Sequence, residues 1–441
     1  MNDRSRLPII AIVGRPNVGK STLFNRILGR RKAVVLDTPG VTRDRNFGVA
    51  EWCGRSFLLV DTGGYDTVQA TRLTTLVREQ CLLAIEEADV VLFVVDLRES
   101  DSPVDYDVAD LLRRTGKPVF LAVNKCDGKL QEPAAAEFYR LGLPRLFAIS
   151  AEHGSGVAEL LDAAIEELPA APAAPVTESD ATRIAVVGRQ NVGKSTLVNR
   201  LLGAPRVIAD ETPGTTRDSI DTPFERAGRR YVLVDTAGIR RRGRTEHGAE
   251  KLSVISAILS LQRCDVAVLV LDATAGVVDQ DAHIAGYAFE AGRACILVVT
   301  KWDLVEKDNA TADRYTQHIR HALKFMPYAP ILYVSGKTGQ RVGKILDTVE
   351  TLLPQFRSHI ETPVLNQALE EILERHSPPV TSGKNLRIKY ATQTDTAPPT
   401  FTLFVNEPKL MHFSYERHLI NELRSRFGLT DVPIRIRLRK K

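Results

Sequence analysis

Gly14-Arg15-Pro16-Asn17-Val18-Gly19-Lys20-Ser21 fits the pattern G-x-x-x-x-G-K-[ST], and it sits between the apolar run 9–13 and a helical pattern over 21–28. Glycines in such a loop let backbone N–H groups curl around phosphate oxygens, and the amino end of the following helix adds partial positive charge. Lys20 suits β- and γ-phosphate charge, and Ser21 suits Mg²⁺. The octapeptide returns 174 residues later as Gly188-Arg189-Gln190-Asn191-Val192-Gly193-Lys194-Ser195, with Lys194 and Ser195 in the same places. Two intact copies in a strand–loop–helix setting make a chance Gly-rich turn remote.

The repetition runs well beyond the loop. At the same offset, 39–44 matches 213–218 and sets Thr42 opposite Thr216. Asp61-Thr62-Gly63-Gly64 likewise matches Asp235-Thr236-Ala237-Gly238. Asn124-Lys125-Cys126-Asp127 then faces Thr300-Lys301-Trp302-Asp303 at offset 176, and Ser150-Ala151 faces Ser335-Gly336 at 185. A period of this length is a duplicated domain rather than a solenoid repeat. In the first copy, short apolar runs at 9–13, 57–60, 90–95, 119–123 and 146–149 read as strands, with helical patterns between them, as at 156–168. Strands alternating with helices predict an α/β fold with a doubly wound, mostly parallel sheet. Ligands on such sheets bind beyond the carboxyl ends of strands, where every repeated motif falls.

The domain plan follows: a first G-type domain over 1–168, a Pro/Ala-rich linker over 169–182, a second domain over 183–356, and a basic α/β tail over 360–441. In the tail we expect a helix at 363–376, strands at 386–392 and 400–406, a helix at 415–427 and a last strand at 433–438. Residues 384–441 hold 12 Lys/Arg against 5 Asp/Glu, a balance of +7 in a chain of net charge +5. Arg435, Arg437, Arg439, Lys440 and Lys441 alternate with Ile434, Ile436 and Leu438. As a strand, that run sets cations on one face, suited to a polyanion such as nucleic acid.

Composition narrows the class. With 441 residues, 44% hydrophobic and 26% charged, the chain is neither collagen-like, disordered nor a disulfide scaffold. Its apolar runs, such as 90–95 and 266–271, are far below the roughly 20 residues a membrane helix needs. No signal peptide is visible, and a cytoplasmic protein is expected. The five cysteines, Cys53, Cys81, Cys126, Cys264 and Cys295, are widely spaced and read as reduced, buried thiols.

A carboxylate at Asp127, just after a strand, accepts from both N1–H and the exocyclic amine of guanine. Adenine offers neither donor there and would leave the carboxylate unpaired. Lys125 packs over the ring, and Ser150-Ala151 offers a backbone N–H to guanine O6. Asp303 keeps the selecting carboxylate in the second copy, although Thr300 replaces Asn and Gly336 replaces Ala. Asp61 and Asp235 begin D-x-x-G and reach Mg²⁺ through water. Gly64 and Gly238 offer an N–H to the γ-phosphate, and Thr42 and Thr216 close on Mg²⁺ only while that phosphate is present. Tyr65 and Ile239 stand where related enzymes often carry a water-orienting Gln, so intrinsic hydrolysis is expected to be slow. Arg240, Arg241, Arg242 and Arg244 read equally as arginine fingers, an RNA-facing patch or a solvated loop.

The tandem motifs, with the tail runs 390–393, 398–401 and 404–406, resemble the Der (EngA) family of bacterial ribosome-assembly GTPases. The resemblance implies a KH-like tail packed between the G domains, with an arrangement that changes with nucleotide state. It also implies a monomeric, Mg²⁺-dependent GTPase that hydrolyses GTP to GDP and phosphate and binds the large (50S) ribosomal subunit and its rRNA during maturation. The tail holds no G-x-x-G loop of the kind that clamps single-stranded RNA in KH modules. The family is also similar to potassium-dependent GTPases, in which a phosphate-loop Asn helps place K⁺; Asn17 and Asn191 match it. Two alternatives stay open. A tRNA-modifying GTPase carries one G domain and a C-terminal Cys motif, whereas this chain ends Arg-Leu-Arg-Lys-Lys. An RNA-binding scaffold with structural nucleotide sites would not respond to large-subunit RNA.

Overall fold

The computed structural model describes residues 7–29, 47–62, 85, 88–99, 102–128, 132–169, 181–203, 208–209, 221–234, 257–306, 308, 310–381 and 384–441. The chain divides into two compact units, Met1–Val176 and Thr177–Lys441. In the first, β1 (Ile9–Val13), β2 (Phe47–Trp52), β3 (Arg55–Asp61), β4 (Val90–Asp96), β5 (Val119–Asn124) and β6 (Leu146–Ala148) form one sheet in the order β2-β3-β1-β4-β5-β6. All neighbours pair in parallel except β2 with β3. β1, β4 and β5 are buried along their whole length, as unbroken apolar strands covered on both faces must be. Helix Val157–Glu166 turns Val157, Leu160, Leu161 and Ala164 inward at three- and four-residue spacing. They join Leu23 and Phe24 of helix Lys20–Leu28 in one core.

The second unit repeats the plan with β7 (Thr182–Val187), β8 (Ile208–Ala209), β9 (Thr222–Arg226), β10 (Arg229–Val234), β11 (Val266–Asp272), β12 (Ala294–Thr300) and β13 (Ile331–Tyr333), in the order β13-β12-β11-β7-β10-β9-β8. The doubly wound, mostly parallel α/β expectation holds for both copies. The antiparallel strands β2, β8 and β9 are additions to the five expected. Two of them come from hairpins whose two-residue turns, Cys53-Gly54 and Ala227-Gly228, have positive φ at both positions. Such turns match the right-handed twist of the flanking strands. That placement corrects the reading of Cys53, which is exposed at a turn. Cys126, Cys264 and Cys295 are buried as expected, and burial pushes the Cys264 thiol up to about 12. Cys81 lies outside the described residues.

In the tail, helix Thr362–Arg375 precedes a small hairpin of β14 (Val380–Thr381) and β15 (Lys384–Asn385), which was not expected. The order then runs as read from the sequence: β16 (Ile388–Thr396), β17 (Pro399–Val405), helix Phe413–Arg426 and β18 (Arg435–Lys440). β17 lies between β16 and β18, antiparallel to the first and parallel to the second. One hydrophobic cluster runs from Ile184 and Leu201 through Val349, Phe356 and Ile360 to Leu365, Phe401 and Leu419, so the second copy and the tail share a core. Gln355 and Asp431 exchange hydrogen bonds of 3.0 and 3.1 Å across this junction. On β18, Arg437 and Arg439 are exposed while Ile436 and Leu438 pack against the core. Arg435 departs from that alternation. It is half-buried and donates to the Glu290 carbonyl, so it serves the junction and not the open basic face. Among the described residues no helix is long and apolar enough to cross a membrane.

Phe356 lies within the shared core and is fully buried. Phe356→Ala should cost about 3–5 kcal/mol. In increasing urea, hydrogen-exchange protection of β11 and β17 should be lost together. Loss at β17 with β11 untouched would show two independent cores.

Candidate nucleotide sites

The phosphate loops follow β1 and β7 and take nearly the same backbone path. φ is 149° at Gly14 and 151° at Gly188, and 96° at both Gly19 and Gly193. A Cβ on Gly14 would run into the Val94 carbonyl, and one on Gly188 would lie 2.6 Å from the Val270 carbonyl. Only glycine lets the loop lie that close to the neighbouring strand. Asn17 and Asn191 are left-handed, at φ 63° and 60°, a region that Asn enters more readily than most residues. Both are exposed, whereas Val18 and Val192 are buried. Lys20 Nζ donates to the Arg15 carbonyl at 2.6 Å, and Lys194 Nζ to the Gly188 carbonyl at 2.7 Å and the Arg189 carbonyl. Each ammonium therefore rests across its own loop. Ser21 Oγ donates to Asp61 Oδ2 at 2.8 Å, which brings together two of the oxygens read as serving Mg²⁺. Thr62 Oγ1 ties the end of β3 to the Ile12 carbonyl. Thr42, Gly63, Gly64, Tyr65, Thr216, Asp235, Thr236, Ala237, Gly238, Ile239 and the arginines at 240–244 lie outside the described residues.

On the base side of the first copy, buried Asn124 acts as a brace. Its amide donates to the Val18 carbonyl at 2.8 Å and its Oδ1 accepts the Ala151 N–H at 2.9 Å, so it joins the phosphate loop to the loop after β6. Lys125, left-handed at φ 68°, pairs with Asp96 at 2.5 Å. Asp127 accepts from Ser150 Oγ at 2.9 Å and from Arg98 at 3.1 Å. In the second copy Lys301, at φ 56°, pairs with Asp272 at 2.6 Å. Burial opposes the charge on Asp272, yet hydrogen bonds from Lys301 and Thr274 hold its carboxyl below the usual range.

Thr300 performs half of the brace. Its hydroxyl meets the Val192 and Leu271 carbonyls, and it has no amide to extend further. Gly336 lies close to the helix that follows the second phosphate loop: a Cβ there would stand 3.2 Å from Thr196 Cγ2, so an alanine would need that methyl to give by a few tenths of an ångström.

Two positions escaped the sequence reading. Asp105 and Asp281, at the starts of helices Pro103–Arg113 and Asp279–Glu290, are buried against the phosphate-loop arginines. Arg15 Nε donates to Asp105 at 3.1 Å, and Arg189 lies 3.4 Å from Asp281. Burial raises both carboxyls and the facing arginine opposes the shift. Their signal was present: the pair repeats at offset 176, like the base motif.

Phosphate loops and guanine-type base loops, set at the carboxyl ends of two doubly wound sheets, define a GTPase with tandem nucleotide-binding domains. A family model described as a 50S ribosome-binding GTPase matches residues 9–125 and 183–301, and one described as the KH-domain-like C-terminal part of EngA bacterial GTPases matches 359–439. The chain is 52% identical over 429 residues to GTPase Der of Geotalea daltonii, covering 97% of each chain. It is 52% identical over 433 residues to that of Syntrophotalea carbinolica, covering 98% of this chain and 99% of the relative. The chain belongs to the Der family of GTPases, and guanine nucleotide binding comes with that membership.

Asn124→Ala removes both ends of the brace, and each polar group left unpaired costs roughly 1–3 kcal/mol. Release of a fluorescent GDP analogue from the first site should quicken about tenfold or more, with the second site unchanged. An unchanged first-site rate would deny Asn124 this role. Asp105→Asn breaks a buried ion pair and should lower stability by about 3–5 kcal/mol in chemical denaturation; a loss under 1 kcal/mol would mean that Arg15 is held by its other partner, the exposed Glu99 carboxylate 2.7 Å away.

Proposed function

We propose that this GTPase is a cytoplasmic, monomeric switch in assembly of the large ribosomal subunit, with GTP hydrolysis controlling its hold on rRNA. The observation that supports it most is the shared core between the second nucleotide domain and the basic tail, which gives bound nucleotide a rigid path to a cationic face. The domains are taken as 1–168, 183–356 and 360–441, joined by a linker at 169–182. An exposed strand face with Arg437 and Arg439 suits RNA phosphates, and the family description names ribosome binding.

In each domain, Lys20 or Lys194 swings from its loop carbonyls onto the β- and γ-phosphates. The loop N–H groups hold the phosphate oxygens. Asp127 and Asp303 select guanine, while Lys125 and Lys301 cover its ring. Ser21, Thr42, Ser195 and Thr216 would hold Mg²⁺, with Asp61 and Asp235 in its outer shell. Mg²⁺, when bound, neutralises charge on the β- and γ-oxygens. Water attacks the γ-phosphorus in line, the bond to the β-γ bridging oxygen breaks, and GDP and phosphate leave without a covalent intermediate. Gly64 and Gly238 lose their γ-phosphate contact at that point, which releases the loops carrying Thr42 and Thr216. Asn17 and Asn191 would help to place K⁺ beside the phosphates; exchange of K⁺ for Na⁺ should slow turnover, and Asn17→Ala should abolish that difference at the first site.

The deciding experiment sediments the protein with large ribosomal subunits in GDP, in a non-hydrolysable GTP analogue and without nucleotide, alongside Lys20→Ala and Lys194→Ala. Nucleotide-dependent co-sedimentation, lost in one variant, supports the switch and names the controlling domain. Equal binding in all three states overturns it.

A further inference from the structure

A cavity of about 470 Å³ opens at the amino ends of β7 and β10, at the opposite end of the sheet from the second phosphate loop. Arg229 and Arg230 line it from the start of β10; Glu350, Leu353, Pro354 and Arg357 line it from helix Gly343–Phe356 and the residue after it. Glu350 is fixed in place, since Tyr231 Oη donates to its Oε1 at 2.7 Å. Arg229 lies 3.5 Å from the other oxygen of Glu350, and Arg357 lies 3.5 Å from buried Asp265. These are loose ion pairs that orient two guanidinium groups without using up their N–H donors. Among the described residues Arg230 has no ion-pair partner.

The first copy is built differently at the same place. Arg55 occupies the position of Arg229, and it donates to the Ile165, Leu168 and Pro169 carbonyls at 2.8, 3.3 and 2.6 Å, capping the helix end. Ser56 stands where the second copy has Arg230, and Ile165 where it has Glu350. The Leu-Pro pair is kept, as Leu168-Pro169 and Leu353-Pro354. The second copy thus keeps the Leu-Pro scaffold, sets the arginine against a carboxylate in place of the helix-end carbonyls, and carries Arg230 and Arg357 around the cavity.

We propose that this cavity binds a phosphate group, carried either by an RNA strand or by a small phosphorylated molecule. Planar guanidinium forks match phosphate oxygens in bidentate fashion, and several arginines around one concavity give a geometry that a flat surface lacks. The volume falls within the usual range for small-ligand sites, and Leu353 and Pro354 give it an apolar wall. The site shares no residue with either nucleotide site and stands whether or not the assembly switch does.

The test uses the full chain with Mg²⁺ and saturating GDP, so that both phosphate loops are filled. Inorganic pyrophosphate and a short uridine oligoribonucleotide are titrated separately by calorimetry. The variants are Arg230→Ser, Arg230→Ser with Arg357→Ala, and Arg375→Ala as an exposed arginine elsewhere. GDP binding by each variant reports that the second domain is folded, and Arg230→Ser alone carries the test should the double variant not fold. Removal of each cavity arginine should weaken the responding probe about tenfold. Weakening of pyrophosphate assigns a small phosphorylated ligand; weakening of the oligonucleotide alone assigns an RNA strand. If neither probe binds, or the cavity variants lose no more than Arg375→Ala does, the proposal is overturned.

Discussion

Each nucleotide site depends on how closely the phosphate loop lies against the next strand. At Gly14 and Gly188 there is no room for a single carbon atom between the loop and a neighbouring carbonyl. Sheet pairing fixes that carbonyl, because β1 runs beside β4 in register from Ile10–Val90 to Val13–Phe93, and β7 beside β11 likewise. A slip of one residue would turn every buried side chain of those strands to the wrong face. The register that buries the core therefore also sets the loop, and the loop sets where the lysine, the serine and the helix end point.

The brace on the far side completes the arrangement. Asn124 reaches from the end of β5 to the phosphate loop and to the loop after β6, so three chain segments meet on one buried amide. The second copy reaches the phosphate loop through a hydroxyl and carries Gly336 where the first copy has Ala151. Duplication preserved the task and changed the parts.

Much of this was legible beforehand because the relevant chemistry is concentrated in short, spaced motifs. Unbroken apolar runs located β1, β4 and β5, and repetition at a fixed offset located both nucleotide sites. The hairpin strands were harder. β2 reads Phe-Gly-Val-Ala-Glu-Trp and β9 reads Thr-Pro-Phe-Glu-Arg, mixed stretches typical of strands near a sheet edge, and their best signal was a two-residue turn. Asp105 and Asp281 were missed because an acidic residue at a helix start is ordinary until a buried arginine is found facing it. Arg435 was misplaced for the opposite reason: alternation predicts the face of a strand but not what packs against its first residue.

The closeness of Gly336 to Thr196 bears on how the two halves of the gene can exchange sequence. A duplicated coding region invites recombination between its copies. Copying the base loops of the first half into the second would put an alanine methyl 3.2 Å from Thr196 Cγ2. Thr196 would have to give by a few tenths of an ångström to accept it, so at this position the two halves are no longer interchangeable without a local adjustment.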